Sequence, residues 1–178
     1  MARRGRQKYD KLGNNHFITT TVVGYMKIFS LKNNYYNLLI DTLKFLINRD
    51  SAKLIAYVLM PNHVHLILHI PSGKSISDFM RDFKKFTSRT IKKNLKNRGL
   101  YNTLKKLTDK GGVKKFKLWM DRFDDVIIYS EKVMETKMNY IHYNPVKAGF
   151  VKKITEWKYS SARNYYLGDN SVIEVYKI

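Results

Sequence analysis

Between Leu54 and Ile70 the chain reads LIAYVLMPNHVHLILHI, two apolar, β-rich runs separated by Met60-Pro61-Asn62. The Pro-Asn break predicts a hairpin, with Leu54 to Leu59 as its first strand and His63 to Ile70 as its second. In the second strand Val64, Leu66 and Leu68 fall on one face and His63 and His65 on the other, because side chains two apart share a face. Upstream, His16 to Val23 (HFITTTVV) is dense in β-branched residues and predicts a first strand. Tyr35 to Ile47, with Leu38, Leu39, Thr42, Leu43, Leu46 and Ile47 at helical spacing, predicts a first helix that Asn48 to Ala52 ends.

Ser75 or Ser77 caps a second predicted helix, Ile76 to Asn94, which gathers Ile76, Phe79, Met80, Phe83, Phe86 and Ile91 on one side. Asn97 to Lys114, with Gly99, Gly111, Gly112 and many lysines, reads as a loop. Lys115 to Met120 (KFKLWM) predicts the fourth strand, with Asp124 to Tyr129 extending or following it. Glu131 to Tyr143 predicts a third helix capped by Ser130, and Pro145 disfavours helical geometry at Asn144, so the helix is expected to end there. Strand, helix, strand pair, helix, strand is the order of an α+β, ferredoxin-like βαββαβ sandwich. Its antiparallel sheet carries both helices on one face, which leaves the other open for His63 and His65; the third helix is an addition at the C-terminal end.

A chain of 178 residues suits one domain, and the expected division is a flexible basic arm (1–13), a core domain (14–151) and a C-terminal tail (152–178) packing on that domain. The absence of cysteine excludes disulfides, thiolate zinc sites and thiol nucleophiles. No apolar run is long enough to span a bilayer, and the charged start has no apolar segment behind it, so no membrane association and a cytoplasmic location are expected. Thirty-four Lys and Arg against fourteen Asp and Glu leave a formal charge of +20, which makes nucleic acid the leading partner. Arg3, Arg4, Arg6 and Lys8 on the arm, and Lys84, Lys85 and Arg89 on the second helix, are the cations expected on its phosphates.

His63 and His65 form a pincer for a metal ion; the plainer reading is two polar residues on the open face of a half-buried strand. His69 lies on the same face, further along, and reads as structural. Two ligands do not close a site, so a third group has to come from elsewhere. On the third helix, Tyr140 and Asn144 stand i and i+4 apart and share a face. Asn144 can supply an oxygen ligand and Tyr140 a nucleophile, and mixed nitrogen and oxygen ligation suits Mg or Mn. The implied reaction is phosphodiester transesterification. Most of the thirteen tyrosines must be packing or surface residues. Tyr143 is rotated about 100° around the helix from Tyr140, and Tyr129 lacks the Asn partner, but spacing alone leaves the nucleophile a choice among candidates.

Leu59-Met60-Pro61-Asn62-His63-Val64-His65, together with Tyr140-Ile141-His142-Tyr143-Asn144-Pro145-Val146-Lys147-Ala148-Gly149, resembles the HUH single-tyrosine (Y1) transposases, IS200/IS605-like, and especially their REP-associated tyrosine transposase branch. The resemblance runs from the first strand to Val151 and extends weakly over Trp157 to Ala162. It implies a ferredoxin-like fold, His63, His65 and Asn144 as metal ligands, and Tyr140 as the residue that attacks single-stranded DNA. It further implies a 5′-phosphotyrosine with a free 3′-hydroxyl, resealing to another 3′ end, hairpin substrates with a flanking guide sequence, and a monomer or homodimer. The Lys-rich 97–114 segment resembles an insertion. The rival readings are a domesticated structure-specific DNA-binding protein without strand transfer and a metal-dependent phosphodiesterase using water. Gly149 is expected in a left-handed turn; Trp157, Tyr159, Tyr165 and Tyr166 either stack on unpaired bases or pin the tail.

Overall fold

The structure is a computed structural model and describes residues 14–30, 35–108 and 115–178. Four strands form one sheet: β1 (Asn14–Thr21), β2 (Lys53–Leu59), β3 (His63–Ile70) and β4 (Asp124–Ile128). Their spatial order is β2-β3-β1-β4, and every neighbouring pair is antiparallel. α1 (Tyr35–Asp50) crosses from β1 to β2 and α2 (Ile76–Asn97) from β3 to β4, as in a ferredoxin-like sandwich.

Strand alternation sorts the sheet into two faces. Ile18, Leu66, Leu68 and Tyr57 pack under α1 and α2 with Leu39, Leu43, Phe79 and Phe83. Phe17, Val58 and Ile67 face the other way and meet α4 (Glu131–Lys147) through Met134 and Ile141. The open face is therefore partly roofed by α4. Ser75 caps α2 by accepting from the Asp78 N–H, and Ser130 caps α4 by accepting from the Val133 N–H.

The fourth strand lies further along than Lys115 to Met120. That segment makes only an isolated bridge, Val22 with Trp119, flanked by the Val23 N–H to Leu118 carbonyl and Met120 N–H to Thr21 carbonyl bonds. Its neighbours Leu118 and Trp119 are both buried, which a strand with one covered face cannot arrange. The Trp119 indole donates to Thr87 Oγ1 at 2.9 Å, so α2 turns this stretch inward. Asp124–Ile128 pairs with β1 instead, from Asn15 opposite Ile128 to Thr19 opposite Asp124.

α2 outruns its expected end by three residues, and part of the expected 97–114 loop is helical, α3 (Tyr101–Lys106). Leu100 and Leu104 pack against the core and Leu107 is buried within it, an apolar spacing hidden among lysines. Residues 109–114 lie outside the described residues, as does the whole basic arm 1–13.

α4 does not stop at Asn144; it runs through Pro145 to Lys147. Pro145 is buried, and a Schellman motif closes the end: the Gly149 N–H donates to the Val146 carbonyl and the Phe150 N–H to the Pro145 carbonyl, with Gly149 at φ 73°. The burial and the C-terminal closure outweigh the loss of one helical bond at proline.

After α4 the chain runs along the outer edge of β2, through a short 3₁₀ turn and α5 (Ala162–Leu167). Leu59 N–H donates to the Tyr159 carbonyl, Ser161 N–H to the Tyr57 carbonyl and Tyr176 N–H to the Leu54 carbonyl, so the edge is covered. The Trp157 indole donates to the Leu59 carbonyl, the Tyr165 hydroxyl to the Ile55 carbonyl, and Tyr159 stacks on Tyr36 at 4.1 Å. These three aromatics fasten the tail; Tyr166 is the exposed one of the four.

Candidate functional site

His63 and His65 project from β3 toward α4, their rings 4.8 Å apart at 77°. Asn144 comes to them from 79 residues away in sequence: its Nδ2 donates to His65 Nε2 at 3.3 Å. The same amide acts on His63, where it favours the charged ring. Tyr140, one turn earlier on α4, meets His65 edge-on at 5.0 Å and keeps 42% of its surface exposed. The four residues picked out from the sequence thus converge on one spot. Tyr143 and Tyr129 are exposed, and neither ring contacts the histidines among the described residues.

Both rings are held by their other nitrogen. His65 Nδ1 lies 2.8 Å from Thr19 Oγ1, which the β1–β3 register sets directly opposite it. His63 Nδ1 lies 2.7 Å from Asn62 Oδ1. The Asn62 amide is itself oriented, because its Nδ2 donates to the Tyr25 carbonyl at 3.2 Å, leaving Oδ1 to accept from His63 Nδ1–H. That network assigns the free lone pair of His63 to Nε2. Phe17 completes the floor, stacked flat against His65 at 5.7 Å and edge-on to Tyr140 at 5.8 Å.

Burial keeps these imidazoles neutral. His65 is pushed down to about 3, first by burial and then by the neighbouring His63 and Lys137 charges. His63 is also lowered by burial, with Asn144 opposing. A metal binds the neutral form of an imidazole, so this environment is compatible with ligation. Among the described residues no group of three His, Asp or Glu side chains is placed to hold a metal ion. The donor set on offer is two imidazole nitrogens plus an amide, whose Oδ1 becomes available when the side chain turns over. The amide oxygen suits Mg or Mn and the two imidazoles suit borderline divalent ions, so the set fits a divalent metal without choosing which.

The structure does not bring the α2 cations to this spot. Lys84, Lys85 and Arg89 lie on the layer across the sheet from the histidines. Lys84 is half-buried, donating to the Met120 and Asp121 carbonyls at 2.6 and 3.0 Å, and desolvation lowers its pKa. Lys85 and Arg89 are exposed beside Phe45 and Phe86 in a cleft between α1 and α2. Arg3, Arg4, Arg6 and Lys8 lie outside the described residues. His69 pairs with Asn15 at 3.0 Å, away from the cluster.

Sequence reading passed over Asn62, Thr19 and Lys137. Asn62 was visible only as a turn residue, and Thr19 carries no signal until the register is known. Lys137 had one: it stands three residues before Tyr140 and seven before Asn144, on their face of α4. Its ammonium lies over the Phe17 ring, 4.6 Å from the centroid.

Residues 14–144 match the family model described as "Transposase IS200 like". A REP-associated tyrosine transposase of Escherichia coli K12 is 31% identical over 106 residues, covering 60% of this chain and 52% of the relative. A Haemophilus influenzae relative is 28% identical over 112 residues, covering 60% of this chain and 57% of the relative. The chain therefore matches about half the length of these curated relatives. A solved REP-associated tyrosine transposase bound to a REP hairpin superposes with a TM-score of 0.67 at 22% identity, over 100% of both chains, which shows the shared fold. No helix among the described residues is long and apolar enough to cross a membrane. The family match spans both strands of the hairpin and the helix that carries Tyr140, and the chain belongs to the IS200-like transposases.

Proposed function

We propose that this protein cleaves and rejoins single-stranded DNA at hairpin-bearing sites, with Tyr140 as nucleophile and a 5′-phosphotyrosine as intermediate. The observation that carries the reading is the convergence of His63, His65, Asn144 and Tyr140 from β3 and α4 on one face of the sheet. The half-exposed Tyr140 gives its proton to solvent, and its oxygen attacks the phosphorus. The P–O3′ bond breaks, and the departing oxygen takes a proton from water to become a free 3′-hydroxyl. Attack by another 3′-hydroxyl reverses the step and releases Tyr140. His63, His65 and Asn144 would hold Mg or Mn, which supplies Lewis-acid polarisation of the phosphoryl oxygen when bound. Asn62 and Thr19 fix the ligand rings, and Phe17 packs against His65 and Tyr140.

A hairpin substrate draws its support from the relatives, one of which is solved bound to a REP hairpin. The charge of +20 suits any polyanion and does not by itself select this one. The test incubates the protein and Tyr140→Phe with Mg or Mn and hairpin oligonucleotides bearing a single-stranded flank, taken from DNA around the gene. A covalent protein–DNA band that needs Tyr140 and disappears with chelator is expected. Cleavage persisting in Tyr140→Phe would establish a water-using phosphodiesterase instead, and tight binding without cleavage would establish a DNA-binding protein.

A further inference from the structure

Lys137 sits on the face of α4 that carries Tyr140 and Asn144. Its stem is half-buried and its ammonium lies over Phe17, the ring that also contacts His65 and Tyr140. The helix neighbours three and four residues away are Val133, Met134, Tyr140 and Ile141, so no acid at helical spacing pairs with it. No carboxylate among the described residues forms an ion pair with it. His65 nevertheless feels its charge. The polar groups grouped around it include two neutral imidazoles, an amide, a phenol and the Thr19 hydroxyl, and Asp124, opposite Thr19 in the β1–β4 register, is exposed. Among the described residues, then, no carboxylate pairs with this cation beside a candidate nucleophile.

We propose that Lys137 is a catalytic residue whose ammonium contacts a non-bridging oxygen of the scissile phosphate while Tyr140 attacks. This rests on the tyrosine-transferase reading above. Lys137 stays protonated throughout; it neither gives nor takes a proton as the Tyr140 O–P bond forms and the P–O3′ bond breaks. Its contribution is to offset charge on the phosphoryl oxygens, and the aromatic seat positions the ammonium before DNA arrives. The competing role, packing of the stem on Phe17, predicts a different dependence on charge.

The experiment measures the single-turnover rate of covalent adduct formation on a hairpin oligonucleotide, together with hairpin affinity and melting temperature, for wild type, Lys137→Met and Lys137→Arg. Methionine keeps an apolar stem and removes the charge. The expected result is an adduct rate about a hundredfold lower in Lys137→Met, the size typical of losing one electrostatic contact to a transferring group. Hairpin affinity falls far less than the rate, melting stays near wild type, and Lys137→Arg recovers most of the rate. With a methylphosphonate at the scissile position, which lacks one charged oxygen, the gap between wild type and Lys137→Met should shrink. A full rate in Lys137→Met, or an undiminished gap on methylphosphonate, overturns the role of Lys137 while leaving the phosphotyrosine reading intact. No adduct with wild type overturns both.

Discussion

Acidification should release the helix that carries Tyr140, and His142 is the group through which it does so. His142 is 2% exposed on the anchored side of α4, its Nε2 donating to Ser161 Oγ at 3.0 Å. Ser161 in turn donates to the Tyr57 carbonyl and accepts from the Tyr57 N–H, so one hydroxyl ties α4 to β2 and the tail. Burial pushes the imidazole from its ordinary 6.5 down to about 4. The folded state thus binds the proton less readily than the unfolded one, and stability is complete above the unfolded value and lost as pH falls toward the folded one. From these two values, the loss specific to His142 is about 2 kcal/mol at pH ~5 and about 3 kcal/mol at pH ~4. Urea unfolding of wild type and His142→Gln at pH ~7.5 and ~5 isolates it. The depressed His65 and His63 add slope of the same sign to both proteins and cancel in the difference. The glutamine variant should be less stable at neutral pH and should lose about 2 kcal/mol less on acidification. Parallel profiles would refute the argument.

Asn62→Leu removes the acceptor that sets the His63 tautomer and should weaken Mn binding about 10- to 100-fold by titration calorimetry, the usual cost of an orienting partner; an unchanged affinity would free Asn62 of that role. Gly149→Ala meets nothing within 4 Å of the added carbon but must hold φ 73°, so it should cost about 1 kcal/mol in urea unfolding from backbone strain alone. A loss well beyond that would point to a contact the turn makes through its backbone.

The fold was legible wherever burial followed one period. In β3 the alternation of Val64, Leu66 and Leu68 against His63 and His65 placed both imidazoles on one face, and α2 followed the same logic at helical spacing. It failed where two rules competed. Lys115 to Met120 has strand composition, yet Leu118 and Trp119 are both buried because the indole reaches Thr87 on another element. Pro145 signals a helix end by local sterics, but the Schellman closure at Gly149 and the burial of Pro145 carry the helix past it.

The site divides along the same line between local and distant causes. His63 and His65 stand out by spacing within one strand and Tyr140 and Asn144 by spacing within one helix; spacing left Tyr140 one candidate among several, and the family resemblance joined the four. What orients them comes from elsewhere: Thr19 from a neighbouring strand, and Asn62 through a carbonyl 37 residues away on Tyr25, itself at φ 55°. Cation positions are less legible still, since Lys84 and Lys137 look alike on two amphipathic helices. One is spent on backbone carbonyls across the sheet; the other sits over Phe17 beside Tyr140. A formal charge of +20 therefore suits a polyanion without placing it, while the sheet, by separating its two faces, decides which lysines lie on the side of Tyr140.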